Sequence, residues 1–286
     1  MSLHARALRR RVGGRIALYA LVLLFAAQAA VPFAWGLITT FKANPDLYNR
    51  DNNPFLFNEP PTLDHVQFLF RGTAFGTFVG NTVVVALCVV AITLLVAIPA
   101  AYSLGRLSLR RGGAVAIAIF FVYLIPPSLL FISLSPVVAN LGLQDSRWSL
   151  VVVYPTITIP VSVWLLTGFF KSIPRDMEEQ AMVDGCSRMG AFFRMVLPAA
   201  VPGLIAVVVF ASTLSASEFI YALAFVSQTS QKTVSVGVPT ELVRGDIFFW
   251  QALQAATLVV AIPIALVFNL FLKRFISGFT MGAVKG

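Results

Sequence analysis

Between Glu178 and Pro198 the chain reads EEQAMVDGCSRMGAFFRMVLP, with acids first, one central glycine, paired aromatic residues and a closing proline. No bond-making set accompanies it. The two histidines are His4 and His65, and neither an H-E-x-x-H nor a G-x-S-x-G is present. Metal-assisted hydrolysis and nucleophile-elbow chemistry therefore lack their residues. Cys88 and Cys186 sit in unlike contexts with no ligand-like spacing. No G-x-x-x-x-G-K-[ST] cradles a phosphate, so any ATP used must be hydrolysed on another polypeptide. What remains is recognition, and the question is which elements present those acids.

The composition answers in outline. Of the 286 residues 58% are hydrophobic and 12% charged, and the mean hydropathy is +0.85, which matches a chain whose solvent is lipid. The net charge of +9 does not imply nucleic-acid binding, because no water-soluble basic face is left outside the apolar runs. A crossing helix needs about 20 apolar residues. Six windows meet that: roughly 15–38, 78–104, 113–135, 149–170, 199–226 and 249–274. The first, behind RALRRRVGGR, is longer than a signal-peptide core and is read as a retained span. The sequence thus predicts an all-α membrane protein of six transmembrane helices, with residues 1–286 forming a single transmembrane domain. Fifteen Lys and Arg residues fall on the side of the N-tail, the 105–112 connection, the island and the C-tail, against Lys42, Arg50, Arg71, Arg147, Lys232 and Arg244 opposite. That bias puts both termini and the island in the cytoplasm. The 42–76 segment reads as a small external cap or an unstructured loop. Gly72, Gly76 and Gly80 recur every four residues and predict a weak close-contact stripe. Pro99, Pro126, Pro127, Pro155, Pro160 and Pro263 fall within spans, where proline kinks the helix.

Inside the island, Pro174 suits a first helical turn, and Asp176, Glu178 and Glu179 suit a helix N-terminus. Gly185 suits a left-handed terminus and Ser187 a second N-cap. Met189, Phe192, Phe193 and Val196 then make one apolar stripe at i, i+3, i+4 and i+7. Either the stripe rests on lipid or on the protein's own spans, or the two helices form a knob for a cytoplasmic partner.

The order of residues resembles the "EAA" loop in permease subunits of ATP-binding-cassette importers. The match runs through Glu179, Gln180 and Ala181, then Asp184 and Gly185, then Leu197 and Pro198. Gln180 and Cys186 depart from the usual alanines without altering the bend. PAAYSLGRLSLR (99–110) resembles the end of the second span in sugar-importer permeases, and SGFTMGAVKG resembles the tail of maltose-permease-like subunits. The resemblance implies a helix-Gly-helix coupling loop between the fourth and fifth spans, with Glu179, Ala181, Asp184, Gly185, Leu197 and Pro198 meeting an ATPase. It implies a sister permease, two ATPase subunits that bind the ATP, an extracytoplasmic sugar-binding protein, and one half of a sugar path in the bacterial inner membrane. No cofactor of its own is expected, and membrane lipid is the surrounding partner. The tail Thr280–Gly286 would enter the ATPase interface.

Glu218 is the only acid within the predicted spans. A charge there is costly and so faces a protein interior or a wet cavity. With Ser215 three residues before it and Ala222 four after, the fifth span offers a small polar face toward a hydroxyl-rich sugar. Where the family has Trp-Asn before Glu-Phe, this chain has ASEF (216–219), so pathway lining and a brace against a neighbouring helix both stay open. An alternative function is a secondary transporter working without an ATPase, for which Glu218 would be the single coupling acid.

Overall fold

The computed structural model describes residues 3–107 and 112–283, with side chains from Gly14 to Leu270 except at 108–111 and 267. Its helices are α1 (Leu3–Phe41), α2 (Asn44–Tyr48), α3 (Asp64–Arg71), α4 (Phe75–Arg106), α5 (Gly112–Tyr123), α6 (Pro127–Asn140), α7 (Arg147–Val153) and α8 (Pro155–Ser172). They continue with α9 (Asp176–Val183), α10 (Arg188–Ala191), a π turn (Phe192–Val196), α11 (Leu197–Ala199), α12 (Val201–Ser217), α13 (Ile220–Phe225), α14 (Val234–Leu242) and α15 (Trp250–Ala283). The only strands among the described residues are β1 (Val243–Arg244) and β2 (Ile247–Phe248), paired Val243 to Phe248 around Gly245 at φ +61°. Lys285 and the rest of 284–286 lie outside the described residues, as do Arg110 and Arg111. Thr280 to Ala283 continue α15.

Four helical stretches are each long and apolar enough to cross a membrane: Gly14–Phe41, Phe75–Arg106, Arg147–Ser172 and Trp250–Leu270. The predicted third and fifth spans are not single helices. α5 and α6 meet at 89°, because Pro127 has no N–H to donate and Pro126, preceding a proline, is pushed to ψ 133°. Arg188–Ala199 and Val201–Ser217 meet at 69°, where Pro202 has no N–H for the carbonyl of Pro198. Counting each bent pair as one span gives six.

The described residues fall into two compact units. One comprises residues up to Gly72 together with Leu242–Val259. There the 42–59 loop is ordered around a buried ion pair, Lys42 Nζ to Asp46 at 3.0 Å. Asp46 also accepts from Asn52 Nδ2 at 3.0 Å and Asn58 Nδ2 at 2.8 Å, and Lys42 donates to the Asn53 carbonyl at 3.2 Å. Burial alone would push the Asp46 carboxyl up. Hydrogen bonds from Asn58, Lys42 and the Asn58 and Glu59 amides outweigh it and hold the carboxyl well below the usual carboxylate range. Gln251 Nε2 donates to Asn44 at 2.8 Å, and Phe68 stacks on Phe249.

The other unit, Thr73–Glu241 and Val260 onward, is built on α4 against α8. Between lipid-bathed helices the glue is close packing and hydrogen bonding rather than water exclusion. Thr93 and Thr158 share a buried hydroxyl bond of 2.7 Å across the pair. Of the predicted glycine stripe, Gly76 and Gly80 face open space, while a Cβ at Gly72 would meet the Phe68 ring of α3, the helix it caps, at 2.7 Å, a contact within one helix and not between two. Close approach occurs at Gly203, where a Cβ would meet the Phe169 ring at 2.6 Å, and at Gly237, where it would meet Phe78 at 2.5 Å.

Candidate functional site

The island begins where α8 ends. Ile173, preceding Pro174, is extended at ψ 129°. Pro174 lies before the helix rather than in its first turn, since Arg175 is the N-cap of α9. Its carbonyl is left free to accept from Arg106. Asp176, Glu178 and Glu179 occupy the first turn of α9, where the helix dipole favours them. At the other end Gly185 has φ +89°. The Cys186 amide donates to the Ala181 carbonyl at 2.9 Å and the Gly185 amide to Met182 at 3.1 Å, the crossed pair of a Schellman terminus. Ala181 is buried and its carbonyl closes the bend. Ser187 then accepts from the Gly190 amide at 3.1 Å and starts α10.

The apolar stripe divides. Phe192 and Val196 are buried, while Met189 and Phe193 are 63% and 58% exposed. A π turn over Phe192–Val196, closed by the Leu197 amide on the Phe192 carbonyl, sits just before Pro198. Phe192 and Val196, four residues apart, turn inward together, and the Met189–Phe193 pair, likewise four apart, turns outward. Leu197 is half-buried and Pro198 exposed.

The outward face therefore carries Met189, Phe193 and Val183, the last 87% exposed, beside exposed Glu179, Asp184 and Gly185. A shallow hollow of about 530 Å³ is lined by Asp176, Glu179, Gln180, Val183 and Asp184.

The inward face holds a node that sequence reasoning missed. Glu178, not Glu179, is the buried acid of α9. Its Oε1 accepts from Tyr102 Oη at 2.5 Å and its Oε2 from Arg106 Nε at 3.1 Å, with the Arg106 Nη2 also 3.1 Å from Oε2 as an ion pair. Arg106 further donates to the carbonyls of Ile173 at 2.6 Å and Pro174 at 3.3 Å. The signal was present: Tyr102 and Arg106 are four residues apart and share a face of α4, and Glu178 is three before Ala181. A basic residue at a span end ordinarily snorkels to water, which hid it among the orientation charges.

Glu218 ends α12 at ψ 126° rather than lying within a helix. Its carboxylate caps α13, accepting from the amides of Ile220 at 2.9 Å, Tyr221 at 3.0 Å and Ala222 at 3.2 Å. The helical register linking Ser215 to Ala222 is thus interrupted. Ser215 is buried and donates to the Ala211 carbonyl at 2.6 Å. Tyr154 and Tyr221 stack at 6.3 Å, and their buried hydroxyls have no hydrogen-bond partner among the described residues. No group of three or more His, Cys, Asp or Glu among the described residues could hold a metal ion.

Residues 94–280 match the model of the family described as binding-protein-dependent transport system inner membrane component. The chain is 34% identical over 256 residues, 89% of its length and 88% of the relative's, to the sulfoquinovosyl glycerol transport system permease protein SmoH of Agrobacterium fabrum. It is 28% identical to the trehalose/maltose transport system permease protein MalG of Thermococcus litoralis, over 98% of this chain and all of that one. Among solved structures it superposes with a TM-score of 0.77 on a chain of a bacterial ABC transporter involved in the import of the acidic polysaccharide alginate. That likeness covers 93% of this chain and 97% of the other at 18% identity, so it speaks for the fold alone.

Proposed function

The chain belongs to the inner membrane components of binding-protein-dependent transport systems, and from that premise we propose how this permease subunit of an ABC importer is used. The membership decides against a secondary transporter. We infer that residues 1–286 act as one permease domain, forming half of a path for a sugar or related carbohydrate together with a sister permease. An extracytoplasmic binding protein delivers the sugar. Two separate ATPase subunits bind and hydrolyse the ATP, and this chain needs no cofactor. Both termini and the island are cytoplasmic.

The observation that carries the proposal is the exposed surface of the island, where Glu179, Val183 and Asp184 line one hollow in its first leg and Met189 and Phe193 are exposed in its second. Apolar anchors rimmed by charge are the makings of a protein interface, and the acids suit a basic partner. Gly185 fixes the angle between the two helices. The sugar side rests on less: relatives named for glycosides and disaccharides, and Glu218 near the buried Tyr221 at a break in the fifth span. Ser215 and Glu218 are proposed as lining of the path.

The test is purification and labelling. The chain should co-purify with an ATPase whose hydrolysis, in proteoliposomes with the binding protein, is stimulated by one member of a panel of mono- and disaccharides. A cysteine replacing Ser187 should react only from the cytoplasmic side, and one replacing Asn52 only from the opposite side. Labelling of position 187 from outside would overturn the reading.

A further inference from the structure

The proposal above uses only the outward face of the island, and resting on it the inward face acquires a separate role. We propose that Tyr102, Arg106 and Glu178 form a latch that makes α9 and the adjoining end of α4 one mechanical piece, so that displacing the island moves the second span instead of bending the loop.

Three features carry this. The node joins residues far apart in the chain: Glu178 lies 76 positions from Tyr102 and 72 from Arg106. Its contacts are directional. Charge-assisted hydrogen bonds resist rotation and sliding in a way that apolar packing does not, and here Arg106 Nε donates to Oε2, with Nη2 3.1 Å from the same oxygen, while Tyr102 holds Oε1. The grip also extends past α9. Arg106 takes the Ile173 and Pro174 carbonyls in the lead-in from α8. The Tyr102 ring lies 4.5 Å from that of Phe192, in the second leg of the island, and 5.9 Å from that of Phe170 in α8. One residue of α4 therefore touches both legs of the bend.

A buried ion pair often holds a fold no better than well-packed apolar residues would. Its worth at this junction is geometry. Tyr102, Arg106 and Glu178 are accordingly positioning residues, acting through the place they give the docking face.

The experiment uses two spin labels in a chain with Cys88 and Cys186 replaced, one at Val183 on α9 and one at Leu95 on α4, both more than two-thirds exposed. Pulsed EPR of the complex purified with its ATPase then reads their separation without nucleotide and after trapping with Mg-ATP and vanadate. The expected result is one narrow distribution that is the same in both states. Glu178→Ala, and Arg106→Met as a variant that keeps the stem, should lose the narrow component. Glu178→Gln, which keeps an acceptor for Tyr102, should recover part of it. A native separation that shifts between states by more than about 2 Å, the size of a helix translation, overturns the latch. So does a narrow distribution that survives Glu178→Ala. The width is readable on the permease alone. Failure of an ATPase to co-purify would therefore count against the functional reading, while the Glu178→Ala comparison still judges the latch.

Discussion

Two buried ion pairs among the described residues, Lys42–Asp46 and Arg106–Glu178, do different work. Lys42 and Asp46 are four residues apart, and nearly every group around them comes from residues 42–59. That pair closes a loop on itself. Arg106 and Glu178 are 72 residues apart, and their neighbours come from α4, α8, α9 and the π turn. Both pairs carry the desolvation cost of charges removed from water and offset it with further hydrogen bonds. A local pair can only order its own loop, whereas a distant one transmits a displacement between elements.

The largest effect should come from breaking the distant pair. Arg106→Ala leaves Glu178 buried without its cation, at a cost of about 3–5 kcal/mol. The island should lose protection from hydrogen exchange across 173–196, and ATPase assembly should fall. Lys42→Ala should expose 42–59 to exchange and leave assembly intact. Assembly lost equally in both variants would erase the contrast.

Gly185→Val comes next. At φ +89° a β-branched residue is strained by about 1–3 kcal/mol, and the Schellman bonds through Ala181 and Met182 are the ones at risk. The variant should reach the membrane in normal amount with reduced ATPase co-purification and reduced transport. Transport at the native rate would make the bend a passive loop. Nothing lies within 4 Å of a Cβ built there, so Gly185→Ala, which adds the Cβ alone, separates backbone strain from collision within the chain.

This bend was legible in the sequence because its determinants are local: Gly185 for the positive φ, Ser187 for the cap, and acids in the first turn. The spans were legible from length and hydropathy. What escaped depended on partners distant in the chain or on alternatives that sequence leaves equal. Two adjacent acids, Glu178 and Glu179, differ only in which way α9 is turned, and that is set by Tyr102 and Arg106. Pro126 and Pro127 announced a kink, yet proline is tolerated in membrane helices, so the pair alone did not say that the chain would turn by 89° between α5 and α6. Met189 and Phe193 seemed to share a face with Phe192, and which pair is buried is set by Tyr102 and Phe170, whose rings pack on that of Phe192.

Acid sharpens the comparison further. Asp46 is held below its ordinary value by its hydrogen bonds and by Lys42. A depressed carboxyl contributes stability that is fully present above the unfolded value, ~3.9, and is lost only as pH falls through the lower folded value. The 42–59 loop should therefore stay ordered from neutral pH down to about pH 4. Trp35, which meets Phe55 edge-on at 5.4 Å, can report it by fluorescence once the other tryptophans are replaced. Asp46→Asn should give the loosened-loop signal at every pH; with His65, which meets the Lys42 carbonyl at 3.1 Å, replaced by glutamine, a signal that still titrates between neutral pH and 5 would contradict the assignment.

The smallest expected effect belongs to Glu218, whose carboxylate meets no cation among the described residues. Its charge is met by three amides at the start of α13, and a helix N-terminus is electrostatically suited to a carboxylate. That arrangement adds a third account to pathway lining and bracing. The acid holds open a break in the fifth span, giving α13 a start of its own after α12 has ended. Glu218→Gln keeps one acceptor oxygen and the side-chain length but removes the charge, for a loss of about 1 kcal/mol, typical of a cap. Exchange at the Ile220, Tyr221 and Ala222 amides should then quicken by about fivefold, as that energy implies, with the assembled complex intact. If capping is the whole of its role, transport should fall no further than that loosening. A much larger fall in uptake with exchange unchanged would assign the charge to the sugar path. A complex that comes apart on purification would mark Glu218 as a brace.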